Sequence, residues 1–420
     1  MKQLKYIIFT FTFLLFALSL FSQEQRFPKP EFETGYEQPS PITPEPRAAT
    51  MEYLDVLVLL LAISMASWFA LKTRSRQGIL GLTIFTLIYF GFYRNGCICS
   101  VGSLQNVALT FTDPNYAISI TALLFFLIPL IYTLFFGRTF CAGACPLGAI
   151  QDLVIIQPIS LPRWLRKTLG IFPYIYLGLA VLFAATGTDF IICRYDPFIG
   201  IFRMDAEFHM IVLGVVFLLM GMFVARPYCR FLCPYGVLLN WMSHFSKWHL
   251  SITPSKCIQC KLCTTSCPFD AIDYPTNEKN IPNPKLEVRK FLIYIILIPV
   301  WLVAGGFVGS KLHKTLSRAH SDVYLAELLI SQPELKEDQN NIDIQTFLAS
   351  GKSLETLVEE AETIRGKFYI GSWILGAFLG LVIGLTIMNQ VVYRRREVYQ
   401  PNRGDCYSCG RCMDYCPVDK

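Results

Sequence analysis

The chain has 420 residues, of which 53% are hydrophobic and only 16% charged, and 33 of them are phenylalanine. A soluble globular chain carries about 25% charged residues, so this composition excludes a soluble enzyme and a disordered scaffold. The net charge of +6 is small and dispersed, which excludes a nucleic-acid binder. The chain is therefore predicted to lie largely in membrane lipid, and its 15 cysteines are expected to carry its function.

The N-terminal part predicts an export signal followed by a linker. Residues 1–22 begin with two lysines ahead of an apolar run that is short for a membrane span. This pattern indicates a signal peptide or a short uncleaved anchor. Residues 23–52 are rich in Pro and Glu and lack apolar periodicity, so they are predicted to form an exported linker.

The remainder predicts an all-α polytopic membrane protein with about seven spans. Each apolar segment approaches the roughly 20 residues that cross a bilayer. The segments lie at about 53–71, 79–93, 118–136, 171–192, 208–225, 290–309 and 368–392. Clusters of Lys and Arg at 72–76, 163–167, 226–230 and 394–396 fall on alternate sides and mark the cytoplasmic face. We expect a multi-pass protein of the bacterial inner membrane with a cytoplasmic C-terminus.

The segment 311–366 is predicted to lie on the exported side. It has more acidic than basic residues. Val323, Leu325, Leu328 and Leu329 recur at helical spacing, which is typical of an amphipathic helix. The segment is therefore predicted to contain two such helices.

The strongest motif is the bacterial ferredoxin run C-x2-C-x2-C-x3-C-P, which occurs twice. Three of its thiolates bind one cluster, and the fourth ligates the other cluster in two-cluster ferredoxins. The run therefore predicts two [4Fe–4S] clusters. One is assigned to Cys257, Cys260, Cys263 and Cys416, and the other to Cys406, Cys409, Cys412 and Cys267. Zinc is the alternative, but structural zinc sites favour two separated pairs over four cysteines in eleven residues.

This pairing predicts a small α+β ferredoxin domain split into two halves, at 251–289 and 394–420. A transmembrane helix at 290–310, the exported segment 311–366 and a second helix at 367–393 separate the halves, and a membrane domain at 53–250 precedes them. Shared clusters require both halves on one side of the membrane. The last two spans are therefore expected to pack as a hairpin.

A second motif, C-x3-C-P-x-G, occurs at Cys141/Cys145 and at Cys229/Cys233. Its spacing places both thiols on one helical face, and the proline is suited to start the next helix. Both copies are predicted to end a span on the cytoplasmic side. Two matching dithiols could hold one iron or a small iron–sulfur centre. The alternative is packing as small buried hydrophobes, but duplication of the whole motif favours the metal or redox role.

A third copy is predicted near the exported boundary. Residues 99–106 parallel residues 145–152, with Cys97 just ahead of Cys99. Cys193 is expected on the same side. These three thiols could bind a soft metal or an iron–sulfur centre. The alternative is an oxidised pair, because exported thiols tend to form disulfides.

Together these motifs resemble the NosR/NapH-type membrane polyferredoxins, most closely the C-terminal membrane half of NosR. The resemblance covers roughly residues 53–420. It depends on the paired C-x3-C-P segments, the Tyr-Asp-Pro-Phe sequence at 195–198 and the split ferredoxin motif. The stretches 318–327 and 395–412 also match.

The resemblance implies electron transfer between quinone-pool or cytoplasmic donors and an exported acceptor. NosR proteins carry an exported flavin-binding domain with a Gly-Ala-Thr-Ser/Thr attachment motif, and residues 23–50 contain no such motif. Flavin mononucleotide is therefore expected only on a separate exported partner, a flavoprotein.

Three hypotheses follow for the function. In the first, the chain is a transmembrane electron conduit in which the membrane cysteines form intermediate stations. In the second, it is an assembly factor whose dithiols reduce or metallate an exported copper enzyme, since soft thiolates also suit Cu(I). In the third, it anchors a partner oxidoreductase and its outer cysteines are dispensable.

Overall fold

A computed structural model describes residues 48–96, 99–204, 206–252, 257–276, 284–332, 341–391, 396 and 398–418. The predicted signal or anchor at 1–22 and the linker up to residue 47 lie outside the described residues. Helix α1 already begins at Ala49, within the segment predicted as linker.

The described chain is mainly helical, with a single two-stranded pairing. The helices in chain order are α1 (Ala49–Leu71), α2 (Arg76–Thr86), α3 (Ser100–Thr112), α4 (Ile120–Phe136), α5 (Thr139–Gly143), α6 (Pro146–Leu153), α7 (Arg163–Leu169), α8 (Phe172–Ala185), α9 (Ile191–Arg194), α10 (Ile199–Arg203), α11 (Phe208–Gly221), α12 (Pro227–Phe231), α13 (Pro234–His244), α14 (Leu262–Ser266), α15 (Pro284–Ser317), α16 (Ser321–Ser331), α17 (Ile342–Ala349), α18 (Leu354–Val391) and α19 (Arg411–Asp414). A π-helical segment, Leu87–Tyr93, continues α2. Strands β1 (Ile272–Asp273) and β2 (Gln400–Pro401) pair antiparallel.

Local sequence explains where several helices begin and end. The Ser75 and Ser119 side chains accept hydrogen bonds from backbone N–H groups at the starts of α2 and α4, as N-cap residues do. Gly137 ends α4 with a positive φ of 71°, a conformation that glycine adopts without strain. Helices α6 and α13 each begin at a proline, as the C-x3-C-P motif predicts.

Four described helices are long and apolar enough to cross a membrane: Ala49–Leu71, Trp164–Ala185, Lys285–Ser317 and Leu354–Val391. Two shorter apolar helices, Ile120–Phe136 and Phe208–Gly221, coincide with further predicted spans. The predicted span at 79–93 forms an α-helix that changes to π-helix at Leu87. The predicted spans therefore exist as helices, while the count of seven stays a prediction.

Helices α15 and α18 pack tightly against each other, as the split ferredoxin motif requires. Their interface is made of glycines: Gly305 and Gly309 on α15 face Gly376 and Gly380 on α18. A Cβ atom at Gly376 would collide with the Gly305 carbonyl oxygen. Small residues allow helix backbones to approach closely in membranes, so these glycines hold the last two apolar helices together.

The segment 311–366 contains the two predicted short helices, α16 and α17, and the ends of α15 and α18. Val323 and Leu329 are buried, and Leu325 and Leu328 pack beside them. Ile344 of α17 and Leu357 of α18 belong to the same cluster. The apolar face predicted for this segment therefore forms its own small core.

Candidate iron–sulfur sites

Four cysteines from the two ferredoxin halves meet around one cavity. This cavity, of about 30 Å³, is lined by Cys257, Cys260, Cys263 and Cys416. Ile252 and Tyr399 complete its apolar wall. Three thiols from one half and one from the other are the donor set predicted for the first [4Fe–4S] cluster, so these residues fit that group.

The remaining ferredoxin cysteines form a second group. The Cys412 thiol lies close enough to Cys406, Cys409 and Cys267 for their charges to interact. Cys263 of the first group also contributes, and Cys263 and Cys412 pack in one apolar cluster. The two groups are therefore neighbours, and their composition fits the predicted exchange of the fourth ligand.

Both halves present their cysteines with the same backbone. Lys261 and Gly410 take left-handed conformations, with φ of 65° and 74°, and cap the short helices that carry Cys263 and Cys412. Two residues earlier, Gln259 and Ser408 also have positive φ, 56° and 52°. Repeated strained conformations mark functional loops. Here they turn successive thiols inward in each half.

Burial makes free thiolates unfavourable in the second group. It raises the pKa of the Cys406 thiol to about 12 and that of Cys267 to about 11. The charge of the neighbouring Cys409 thiol contributes to both increases in pKa. A bound metal ion deprotonates a coordinating thiol, so iron would supply the positive charge that these buried sulfurs need.

Two of the membrane cysteines cap helices, and the other two lie on the short helices just before them. Cys145 immediately precedes α6 and Cys233 immediately precedes α13, while Cys141 and Cys229 lie on the short preceding helices α5 and α12. The Cys145 thiol interacts electrostatically with Cys229, Cys141 and Cys233. The structure thus brings the two predicted dithiols together into one group, here called the membrane tetrad.

The two repeats also interlock through their arginines. The Arg226 Nη1 donates a hydrogen bond to the Cys141 carbonyl oxygen, and Arg138 Nη2 lies 4.0 Å from Cys141 Sγ. A Cβ atom at Gly148 would lie 3.3 Å from Arg226 Nη1, and one at Gly236 would lie 3.4 Å from Arg138 Nη2. The glycine of each repeat therefore leaves room for the arginine of the other.

The segment that carries Cys141 and Cys145 also bonds to α2. Thr86 Oγ1 donates a hydrogen bond of 2.8 Å to the Gly143 carbonyl oxygen, and Thr83 Oγ1 is 3.4 Å from that of Ala142. Thr86 is ten residues beyond Arg76, about 15 Å along the helix. The chain therefore turns after α4 and bonds through α5 to the last turn of α2. The position of both motifs at the cytoplasmic end of a span stays a prediction.

Of the three predicted outer thiols, two are described. Cys99 immediately precedes α3, and Cys193 lies on α9, whereas Cys97 lies outside the described residues. A Cβ atom at Gly102 would lie 3.1 Å from Cys193 Sγ, and the Cys99 and Cys193 thiols interact electrostatically. The structure therefore brings Cys99 and Cys193 together at the start of α3.

The second ferredoxin half contacts the membrane tetrad directly. The Tyr407 hydroxyl donates a hydrogen bond of 3.1 Å to the Cys229 carbonyl oxygen. Its ring packs 4.7 Å from that of Phe269, and the Arg138 guanidinium lies 4.1 Å above it. Cys409, Cys141 and Cys229 border the same apolar cluster. Sequence reasoning missed this contact, although both aromatics adjoin the ferredoxin motifs.

Arginines fix the ferredoxin domain to the bundle. Asp152 of α6 is 2.6 Å from Arg76, 3.5 Å from Arg226 and 3.7 Å from Arg411. Arg76 also donates to the Cys409 carbonyl oxygen, and Arg230 to that of Phe269. Arg76 and Arg230 belong to the Lys/Arg clusters that were predicted to mark the cytoplasmic face. These side chains therefore also bind the ferredoxin domain. The repeated Arg-x-x-Cys pattern was the signal that could have identified Arg138 and Arg226.

Within the described residues, no three His, Cys, Asp or Glu side chains are arranged to hold a single metal ion. Four thiolates around one zinc lie about 2.3 Å from it, whereas a four-iron cluster keeps its cysteines further apart.

Comparison with protein families supports iron–sulfur binding at both regions. A family model described as a 4Fe-4S binding domain matches residues 118–171 and 207–253. These ranges contain all four cysteines of the membrane tetrad. A second 4Fe-4S binding domain model matches residues 250–273, which contain the first ferredoxin half-motif.

Curated relatives resemble parts of the chain. The protein NirI of Paracoccus denitrificans is 28% identical over 47% of this chain and 31% of its own length. The regulatory protein NosR of Pseudomonas aeruginosa is 27% identical over 51% of this chain and 33% of its own. The methylamine utilization ferredoxin-type protein MauN of Paracoccus denitrificans is 29% identical over 36% of this chain and 54% of its own. The chain thus spans about a third to a half of these relatives. No solved structure matches it.

Proposed function

Because the chain belongs to the NosR/NirI-type family of membrane ferredoxin proteins, we propose that it conducts electrons across the membrane through a series of cysteine-bound iron–sulfur groups. It is an iron–sulfur electron-transport protein of the ferredoxin type. The proposed route runs from the two ferredoxin clusters to the membrane tetrad and then to the outer cysteines. The hydrocarbon core is roughly 30 Å thick, too wide for one efficient electron hop, so an intermediate station is required.

The contact of Tyr407 with Cys229 is the observation that carries this proposal. Tyr407 lies between two proposed ligands of the second cluster, Cys406 and Cys409, and bonds to the backbone of a tetrad residue over 3.1 Å. One side chain therefore links the two groups by covalent bonds and one hydrogen bond. A ferredoxin domain that served only cytoplasmic partners would have no need of such a contact.

In this proposal the eight ferredoxin cysteines hold two [4Fe–4S] clusters with the ligand sets given above, in a small α+β domain formed by 251–289 and 394–420. Such clusters supply one-electron transfer at potentials set by charge and hydrogen bonding. Arg76, Arg138 and Arg226 place positive charge beside the sulfurs, which favours the more negative, reduced state. The Gln151 Nε2 donates to Cys229 Sγ over 3.3 Å and acts in the same direction.

The proposed topology follows the predicted seven spans. The ferredoxin domain faces the cytoplasm of a bacterial inner membrane, and 311–366 faces the exported side. Electrons enter from a cytoplasmic or quinone donor and leave to an exported redox partner, which we propose to be a flavoprotein. The clustering of Arg166, Arg230 and Arg226 at the ferredoxin contact supports the cytoplasmic placement, because positive residues are retained there.

Iron analysis and electron paramagnetic resonance of the anaerobically purified protein test the proposal. Two ferredoxin clusters require about eight irons per chain. We expect more than eight, with an additional signal that disappears in Cys141→Ser and Cys229→Ser. About eight irons and no additional signal would contradict a membrane centre and favour the assembly-factor or anchoring hypotheses.

A transport assay tests the route itself. Proteoliposomes that contain trapped ferricyanide, with dithionite added outside, should reduce the ferricyanide when the wild-type protein is present. Tyr407→Phe should retain the full iron content but slow this reduction, because it removes only the hydrogen bond to Cys229. Tyr274→Phe, at an exposed ferredoxin position, is the matched control. Equal rates for both variants would contradict the route through Tyr407.

A further inference from the structure

We propose that Cys99 and Cys193 are two ligands of a second iron centre within the membrane domain, placed as Cys145 and Cys229 are placed in the tetrad, with the Gln105 amide as the hydrogen-bond donor to its sulfur. This inference deepens the proposed function, on which it rests, because it assigns a ligand pair and a positioning residue to the outer station. Three observations on the described residues support it.

The first observation is a repeat in sequence and backbone. Cys99, Cys145 and Cys233 each stand directly before a helix, with extended ψ values of 114°, 117° and 111°. A glycine follows three residues later in each copy. The segment at Cys99 thus repeats the arrangement that supplies the tetrad with two of its thiols.

The second observation is a repeated hydrogen bond between segments distant in sequence. Gln151 Oε1 accepts from the Tyr228 N–H over 3.1 Å, and Tyr228 immediately precedes Cys229. Gln105 Oε1 accepts from the Ile192 N–H over 2.9 Å, and Ile192 immediately precedes Cys193. Cys193 therefore has the same position relative to α3 as Cys229 has relative to α6. The sequence spacing alone did not reveal this correspondence.

The third observation is an unpaired buried donor. Gln151 Nε2 donates to the Leu147 carbonyl oxygen over 2.8 Å and to Cys229 Sγ over 3.3 Å. Gln105 is 0% exposed, yet its Nε2 has no hydrogen-bond partner among the described residues. A buried amide without an acceptor is costly. A sulfur bound to the metal at Cys193 would accept a hydrogen bond from Gln105 Nε2, as Cys229 Sγ accepts one from Gln151 Nε2.

The two centres would be close neighbours. Cys99 and Cys145 line the same small cavity, of about 10 Å³, with Phe125 and Phe140 in its wall. Tyr228 spans the same region, since its N–H bonds to Gln151 and its hydroxyl donates to Asp196 over 3.3 Å. Short separations through packed aromatic side chains suit electron transfer from the tetrad to this pair.

The experiment compares variants of the full-length protein, purified anaerobically in detergent, by iron content and redox titration followed by electron paramagnetic resonance. Cys193→Ser should lower the iron content and remove one signal, and that signal should persist in Cys145→Ser. Gln105→Leu should retain iron but shift the midpoint potential of the same signal to a lower value, because it loses a hydrogen bond to sulfur. Gln151→Leu is the matched variant and should shift the tetrad signal instead.

Gln105→Glu separates an effect on the midpoint potential from a structural effect. It keeps an oxygen to accept from the Ile192 N–H and removes the amide donor. The inference predicts a lower potential in this variant too. It is overturned if Cys193→Ser leaves iron and signals unchanged, or if Gln105→Leu loses iron while Gln105→Glu matches the wild type. A signal lost in Cys193→Ser but none lost in Cys145→Ser would instead overturn the tetrad and retain the second centre.

Discussion

The ferredoxin domain and the membrane tetrad gather the same side chains by different means. In the ferredoxin domain, cysteines lie on loops with left-handed residues such as Gln259 and Ser408, and only a two-residue strand pairing joins the halves. In the tetrad, cysteines cap helices whose positions are fixed by buried side chains such as Arg226 and Gln151. We therefore expect the ferredoxin site to depend on its iron for order, whereas bonds within the protein fix the tetrad.

This difference indicates which change should disrupt the ligand geometry of each site. Loop-borne ligands must be brought together from chain segments about 140 residues apart, so their geometry depends on the α15–α18 hairpin and on the clusters. Metal binding commonly contributes to folding in such sites. The tetrad segments instead share a continuous apolar core with the other bundle helices, and a rigid second shell orients ligands before metal arrives.

The largest expected effect comes from the hairpin. Gly376→Leu would drive a side chain into the Gly305 backbone and separate α15 from α18. Both ferredoxin clusters should then be lost while the tetrad signal remains. Iron content and paramagnetic resonance provide the measurement, and Gly366→Leu, whose Cβ meets no atom within 4 Å, is the matched control. Retention of all the iron by Gly376→Leu would show that the halves meet without the hairpin.

Removal of iron should separate the two regions next most clearly. After anaerobic chelation, hydrogen exchange should rise at the ferredoxin loops 257–267 and 406–416, because few other bonds order them. Exchange at the starts of α6 and α13 should change little, since Arg226, Arg138 and Gln151 remain in place. Hydrogen exchange followed by mass spectrometry measures both regions in one experiment. An equal rise in exchange at both regions would show that the tetrad depends on iron as much as the ferredoxin loops do.

Asp152→Ala tests the junction between the regions. It leaves Arg226, which is 0% exposed, without its carboxylate partner, and breaking a buried ion pair costs about 3–5 kcal/mol. We expect a lower free energy of unfolding in detergent and a weaker attachment of the ferredoxin domain. Asp189→Ala removes an ion pair with the exposed Arg194 and should cost about 1 kcal/mol or less. Similar losses for both variants would argue against a structural role for the buried pair.

The smallest expected effect depends on pH. Burial, together with the charge of Arg403, holds the pKa of His249 below its usual value of about 6.5. The unfolded chain therefore binds a proton more readily than the folded protein, so this residue should reduce stability as pH falls through 6.5. Thermal unfolding between pH 7.5 and 5.5 should show a smaller decline in His249→Gln than in the wild type. Identical declines would exclude His249 as a source of the loss of stability at low pH.

Much of this architecture could be predicted because it is encoded in short-range spacing. The ferredoxin run specifies thiols within eleven residues, and apolar length specifies helices. The contacts of Thr83 and Thr86 with the tetrad segment could not be predicted, since that segment lies about 60 residues away in the chain. The role of Tyr407 was equally hidden, because its partner Cys229 lies 178 residues earlier. Spacing predicts which residues are ligands, whereas tertiary packing decides what lies between them.

The division of the ferredoxin motif by two long helices has a consequence for biosynthesis. Each proposed cluster draws its fourth thiol from the other half, so neither has a full ligand set until the second half-motif has been synthesised and α18 has returned the chain to the side of α15. Cluster insertion would thus act as a checkpoint for completed membrane insertion. A chain that ends before α18 would retain the tetrad but bind no ferredoxin iron. It would therefore lack the first stations of the proposed electron route.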